Sequence, residues 1–261
     1  MVAVVCMKWG TLYDASYVNA LHRAVQQHLS YDFTFYCLTD NGEGLDPQIV
    51  VQDLPKLAID GLYQRGGNFP KLGVFERGRF PNEDYALFLD LDIVILKSLD
   101  KFIDKVRAEG GLHILREWNP VLWSLVPIWA RPDRGPQSSV FAWKISDFHY
   151  IFDDFNSDPA RAVASAIHDQ DYLGHVVQAR TYWPHHWVRS FKRHCIPYFP
   201  LNLIFQTVPK PKTASIVVFH GSPRPHEVSV PGQQRWGTSR RFGRGPVSWV
   251  QAHMNATPPQ S

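Results

Sequence analysis

The chain has 261 residues, 44% apolar, 13% aromatic and 20% charged. That length buries a sizeable core without disulfides or a structural metal, and the composition excludes a disordered or collagen-like polymer. A formal charge of +3 is too small to mark a nucleic-acid binder, and Cys6, Cys37 and Cys195 contain no CxxC pair, which excludes a disulfide framework or zinc ribbon and fits a reducing cytoplasm.

Val2 to Met7 is an apolar run that reads as a buried strand, too short for a signal segment and without its basic lead. No later run approaches the roughly 20 residues of a spanning helix, so a soluble or at most peripheral chain is expected. Asp14 or Ser16 can cap a helix whose apolar positions Tyr17, Val18, Leu21, Ala24, Val25 and Leu29 form one buried face. Phe33 to Leu38 reads as a second strand ending in Thr39-Asp40-Asn41-Gly42, and Ile49 to Val51 as a third. Strand, helix, strand predicts a βαβ opening and a parallel sheet.

Residues 85–96, apolar on both faces apart from Asp90 and Asp92, read as one central strand covered by helices. A short helix near 99–107 follows, then strands at Leu112 to Leu115 and Ser139 to Trp143, with a Trp- and Pro-rich stretch between them. A helix near Ile167 to Val177, irregular chain over 182–212 and a last strand from Ser215 to Phe219 complete the series. The expected architecture is a single α/β domain over 1–230, a mostly parallel sheet with helices on both faces. Residues 231–261 form a basic, aromatic and partly flexible extension.

Asp90-Leu91-Asp92 is the strongest chemical signal, because ionised carboxylates are costly to bury and repel each other. They converge if the strand persists, or cluster at its carboxyl edge if it ends there. A divalent cation, Mg²⁺ or Mn²⁺, would compensate them and leave positions open for substrate phosphates; pairing with Lys or Arg is the alternative.

Phe88-Leu89-Asp90-Leu91-Asp92-Ile93-Val94-Ile95, followed by Ser98-Leu99-Asp100, resembles the DxD segment of GT-A glycosyltransferases, in particular family 8 with glycogenin and the bacterial lipopolysaccharide galactosyltransferases. Further segments fall in that family's order over residues 1 to about 225. Gly10, Thr11, Tyr13 and Tyr17 resemble the first loop that grips the uracil and ribose of a UDP-sugar, and Asp40 ends strand two where the base can be touched. Lys71 resembles the basic residue ahead of the DxD that reaches the donor sugar and phosphates, and Ser138-Ser139-Val140 the segment lining the sugar pocket. Asp169-Gln170-Asp171 matches the family's Asp-Gln pair, and His220-Gly221 with Arg224-Pro225 its His…Gly…Lys-Pro stretch. Ser138 and Ser139 stand where Asn and Gly are usual, and Arg224 stands where Lys is.

The resemblance implies a metal-dependent transferase moving sugar from a UDP-sugar to the hydroxyl of a saccharide or other acceptor, with retention of configuration. Asp90, Asp92 and His220 are the implied metal ligands, with Mn²⁺ favoured by the imidazole. Asp169, Gln170 and Lys71 are the implied catalytic residues. Gly10, Thr11, Tyr13, Tyr17, Asp40, Lys71, Asp90, Ser138, Ser139, Asp171, Gly221 and Arg224 are the implied donor contacts. A sugar-nucleotidyltransferase is the first rival, disfavoured because Lys8 to Tyr13 is not a Gly-rich phosphate loop; a non-catalytic nucleotide-sugar binder is the second. His185, His186 and His194 lack acidic or Cys partners at zinc spacing. Trp118, Trp123 and Trp129 suit either an acceptor sugar or core packing. Residues 235–244 mix Arg with aromatics, which suits anionic lipid at the inner face of a membrane or an acidic partner, or simply a solvated tail.

Overall fold

The computed structural model describes residues 1–61, 63, 68–120, 123, 126–197, 201, 204, 207–230 and 246–255. The basic aromatic segment 235–244 therefore lies outside the described residues. The chain opens with strand β1 (Val2–Lys8), helix α1 (Ala15–His28), β2 (Phe33–Thr39) and β3 (Val50–Asp53). Asp14 caps α1, its carboxylate accepting from the Ser16 amide at 2.9 Å. A 3₁₀ segment at Phe69–Phe75 leads to β4 (Tyr85–Leu89), β5 (Ile93–Ile95), α2 (Asp100–Glu109), β6 (Leu112–Arg116) and β7 (Pro136–Lys144). Helices α3 (Tyr150–Ser157), α4 (Pro159–Ser165) and α5 (Asp169–Val176) follow. The chain then adds β8 (Arg180–Tyr182), β9 (Val188–Ser190), a π turn at Phe191–Cys195, β10 (Ile216–Val218), α6 (Pro225–Ser229) and α7 (Ser248–Asn255).

Seven strands form the main sheet in the order β3-β2-β1-β4-β7-β6-β8. Only β7 opposes the others, pairing antiparallel with both β4 and β6, so the expectation of a mostly parallel sheet is met. Successive residues of β1 serve opposite faces. Val2, Val4 and Cys6 pack with α1 and with Phe102 and Ile103 of α2. Ala3, Val5 and Met7 pack with Phe69 to Phe75, Phe155 and Tyr172 on the other side. Helices thus cover both faces, which is why β1 is apolar throughout.

The expected continuous strand over 85–96 is corrected. β4 ends at Leu89, and β5 joins a second, three-stranded sheet of order β5-β10-β9. Asp90 still donates its amide to the Ser139 carbonyl of β7 at 2.9 Å, whereas the Asp92 carbonyl accepts from Phe219 at 2.8 Å. The two carboxylates therefore sit at the seam between sheets, where neither has to be buried within a ladder. The stretch read as irregular over 182–212 contains β9 and the π turn, and the polar C-terminal region contains α7, whose Trp249 and Val250 are buried.

The chain order reverses between β1 and β4, so the loops leaving their carboxyl ends diverge and open a crevice, the position at which open α/β sheets receive ligands. Among the described residues no helix is long and apolar enough to cross a membrane.

Candidate functional site

Lys71 is carried by the 3₁₀ segment Phe69–Phe75, which is clamped in two ways. Phe75 packs on Trp143 (ring centroids 4.8 Å) and on Phe141, which stacks on Phe88 at 4.8 Å and 17°. Gly73 lies so close to Pro55 that an added Cβ would meet Pro55 Cβ at 2.0 Å, so any side chain there forces the segment away. Held in this way, the buried Lys71 ammonium reaches Asp90 Oδ1 at 2.7 Å and Ser138 Oγ at 3.5 Å, with the Phe88 ring 5.3 Å below it.

Asp90 and Asp92 follow β4, and Asp169, at the first turn of α5, comes within electrostatic reach of the same ammonium. Burial pulls Lys71 towards the neutral amine, but the fields of Asp90, Asp169 and Asp92 outweigh it and hold the pKa above its ordinary value. One ammonium does not compensate three carboxylates. Desolvation first, then Asp90, pushes Asp92 well above the usual carboxylate range. Desolvation pushes Asp169 up to about 6 against the opposing pull of Lys71 and Ser138. Asp169 Oδ2 is buried without a hydrogen-bond partner among the described residues. Such an atom costs about 1–3 kcal/mol unless a ligand meets it.

Two tyrosines line the entrance. Tyr13 hydroxyl donates to Asp92 Oδ2 at 3.3 Å, its ring packs 4.8 Å from Tyr17, and the Arg224 guanidinium lies 5.9 Å over its face. Tyr17 hydroxyl meets His226 Nδ1. Desolvation raises both phenols, Tyr17 to about 12, so both stay protonated donors. Gly10 turns at φ +64°, and its amide donates to Asp40 Oδ2 at 2.8 Å, so Asp40 shapes the loop in which Thr11 is exposed.

The sequence candidates thus fall into groups. Lys71, Asp90, Asp92, Asp169, Ser138 and Tyr13 converge, with Tyr17 and Arg224 beside them. Ser139 contributes its carbonyl to Asp90, while its hydroxyl accepts from Gln137. Asp171 caps α5, accepting the His168 amide at 2.9 Å, and Gln170 follows Asp169 half-buried. His220 lies two residues past the end of β10, but its Nε2 lies 2.7 Å from Ser190 Oγ and its ring stacks on Trp118 at 5.2 Å and 17°. Among the described residues no group of three His, Cys, Asp or Glu is gathered at metal-binding distance, so His220 is not brought into a set with Asp90 and Asp92. Gly221, at φ +74°, lies against the Lys192 ammonium. Trp118 is thus a ring partner of His220, whereas Trp129 is 87% exposed.

Sequence reasoning missed Ser190 and the π turn after it. No local pattern marks either; they matter because β9 lies beside β10 in the second sheet. The histidines at 185, 186 and 194 form no metal site among the described residues, and His194 Nδ1 accepts the Ser190 amide at 3.0 Å.

No protein-family model matches the chain, and no curated protein matches it in sequence. Its fold matches solved glycosyltransferases. The bifunctional glycosyltransferase WbbM superposes with a TM-score of 0.63 at 12% identity, covering 98% of this chain and 50% of that one. The galactosyltransferase LgtC, solved with donor and acceptor sugar analogues, gives 0.59 at 13% identity, covering 99% of this chain and 97% of that one. GlyE of Streptococcus pneumoniae TIGR4 gives 0.61 at 14% identity, covering 98% and 62%. The chain spans half the length of WbbM and nearly all of LgtC. The expected GT-A-like fold is therefore met.

Proposed function

We propose that the chain is a glycosyltransferase that moves a sugar from a UDP-sugar to an acceptor hydroxyl with retention of configuration. The observation that carries the reading is the convergence of Asp90, Asp92 and Asp169 on the single buried ammonium of Lys71, in the crevice where β1 and β4 diverge. This arrangement is short of positive charge. Asp90 and Asp92 suit Mn²⁺ or Mg²⁺, since two carboxylates plus phosphate and water oxygens make a sufficient shell for such ions. The raised pKa of Asp92 and the unpartnered Asp169 Oδ2 support a missing cationic or polar ligand. A cation held by Asp90 and Asp92 would supply charge neutralisation for a departing diphosphate.

The chain's own groups do the rest. Lys71, fixed by Asp90 and by its clamped segment, presents a preorganised ammonium to the donor's sugar and phosphates without needing to reorganise. Tyr13 and Tyr17, with the turn at Gly10 and Thr11 shaped by Asp40, offer an aromatic wall and hydroxyls to the nucleoside. Arg224, over the Tyr13 ring, and Gly221, beside the Lys192 ammonium, suit phosphate oxygens. Asp169 and Gln170 lie nearest the anomeric carbon, where Asp169 can hold or release a proton at Oδ2 near neutral pH. Ser138 and Ser139 border the sugar, Asp171 orients α5, and His220 is the remaining candidate ligand.

The test is a screen of UDP-glucose, UDP-galactose and their N-acetyl forms with and without Mn²⁺. Metal-dependent release of UDP from one donor is expected, falling about a hundredfold or more in Asp92→Asn, the scale of removing one electrostatic stabiliser. Equal rates in variant and wild type would remove the carboxylates from the mechanism. Pyrophosphate formed from UTP and a sugar 1-phosphate would replace this reading with the nucleotidyltransferase.

A further inference from the structure

Against Trp118, whose ring stacks on His220, lies a cavity of about 510 Å³ that none of Lys71, Asp90, Asp92 and Asp169 lines. Its size falls in the range of small-molecule sites. Trp118, Tyr182 and Trp183 form its aromatic walls, and Arg116, Arg131, Arg189 and Arg193 line it against a single carboxylate, Glu117. Arg116 lies over the Tyr182 ring at 4.5 Å and reaches Asp133 at 3.9 Å. Arg193 donates to the Asn119 carbonyl at 3.0 Å and Arg131 to the Val126 carbonyl at 2.8 Å, which fixes both heads at the rim.

Arg189 is different. It projects from the middle of β9, half-buried, and no Asp or Glu lies within ion-pair distance of it among the described residues, which include every Asp and Glu of the chain. Burial lowers its pKa, against the opposing field of Cys195. Desolvation and then Arg189 and Arg193 hold His194 down to about 4, and desolvation followed by Arg189, His186 and Arg131 lowers His185, so the arginine field adds to burial at both imidazoles. The imbalance extends through this part of the sequence: after Asp171 the chain carries Glu227 as its only acidic side chain against eleven Lys and Arg. A half-buried guanidinium facing a cavity without a counter-ion is costly unless an anion completes it.

The cavity is tied to the proposed reaction centre through His220, whose neighbour Phe219 donates to the Asp92 carbonyl at 2.8 Å. Ser190, next to Arg189 in β9, contacts His220, which stacks on the cavity wall Trp118. We propose that this cavity is the acceptor subsite and that it selects saccharides carrying an acidic group, a carboxylate or a phosphate, with Arg189 as its principal anion ligand. The sugar ring packs on the aromatic walls while the acid pairs with Arg189. The acceptor assignment rests on the glycosyltransferase reading; the anion preference rests on the cavity alone.

The experiment uses three probes that share a ring and differ at C6: glucose, glucuronate and glucose 6-phosphate, with inorganic phosphate as a fourth. Binding is followed by NMR titration of the full chain, and UDP with Mn²⁺ is titrated separately. Glucuronate, glucose 6-phosphate or both should bind at least about tenfold tighter than glucose, and Arg189→Gln should remove about tenfold of that preference, the scale of one charge-assisted contact. Arg189→Lys should restore part of it, and neither variant should unfold at a lower temperature than wild type. Preference for the carboxylate or for the phosphate sugar identifies the acid class. Equal binding of all three sugars, or an Arg189→Gln variant that keeps the preference, overturns the proposal. Inorganic phosphate binding as tightly as glucose 6-phosphate overturns the saccharide part, leaving a plain anion site. If the acidic sugars bind and UDP does not, the donor reading falls and the acceptor assignment falls with it; if UDP binds and the acidic sugars do not, only the cavity proposal falls.

Discussion

The crevice at the ends of β1 and β4 and the cavity beyond β6, β8 and β9 are built with opposite charge. The first gathers three carboxylates around one ammonium; the second gathers four guanidinium groups around one carboxylate. They meet at the stacked pair Trp118 and His220. An excess of either sign away from water lowers stability, and the two proposed ligands would relieve it, a cation in the crevice and an anion in the cavity. The difference also sets how each is held. The crevice is clamped by Gly73 against Pro55 and by stacked aromatics, whereas the cavity is lined by short β8, short β9 and a π turn.

The most severe way to break this contrast is to strip the crevice of its one ammonium. Lys71→Met leaves three carboxylates without their ammonium, and unfolding in urea should show a loss of about 3–5 kcal/mol, the cost of removing one member of a buried pair. A loss below about 1 kcal/mol would mean that the carboxylates are already solvated and that the crevice is not short of charge.

Asp169→Asn should act in the opposite direction. Asp169 has its folded pKa raised from 3.8 to about 6, so the folded chain binds a proton more readily than the unfolded one, and the wild type carries a penalty above about pH 6 that is relieved on acidification. The variant removes that penalty. At pH 7.5 it should be more stable than wild type by about 3 kcal/mol, with the gap closing towards pH 4 and UDP-sugar turnover lost. A variant equally active, or destabilised at every pH, would count against a ligand-facing carboxylate.

The cavity responds to acid with the reverse sign. His194 is held down to about 4 against an ordinary 6.5, so between these values the unfolded chain binds the proton that the folded chain refuses, and stability falls as pH drops through that window. His194→Gln should therefore match wild type near pH 7.5 and exceed it by up to about 3 kcal/mol at pH 4. Parallel stability curves for the two proteins would show that neither burial nor the arginines hold this ring neutral.

Much of the scaffold was legible because its periodicities are strong. β1, α1, β2 and the helix at Asp169 appear where apolar spacing placed them, with Asp14 as the cap of α1. The break at Asp90 was not legible, since residues 85–96 are as apolar as one buried strand. It arises because β5 pairs with β10, more than 100 residues further on, and no local pattern encodes that partner. Helix α7 was hidden for a similar reason, as eight residues that bury Trp249, Val250 and His253 against α6 and α1 show little periodicity of their own. In the site, Asp90, Asp92, Lys71 and Asp169 were named from the sequence and do converge, while Asp171 acts as a cap and His220 turns to Ser190 and Trp118.

The sequence by itself determined the layered α/β frame and the residue types at its carboxyl edge, because hydrophobic spacing and isolated buried charge are local properties of the chain. Only the tertiary structure decided which charges meet. Lys71 against Asp90, His220 against Trp118 and Arg189 without a counter-ion all follow from strand pairings between distant segments, and electrostatic energy depends on distances in space that no one-dimensional pattern contains.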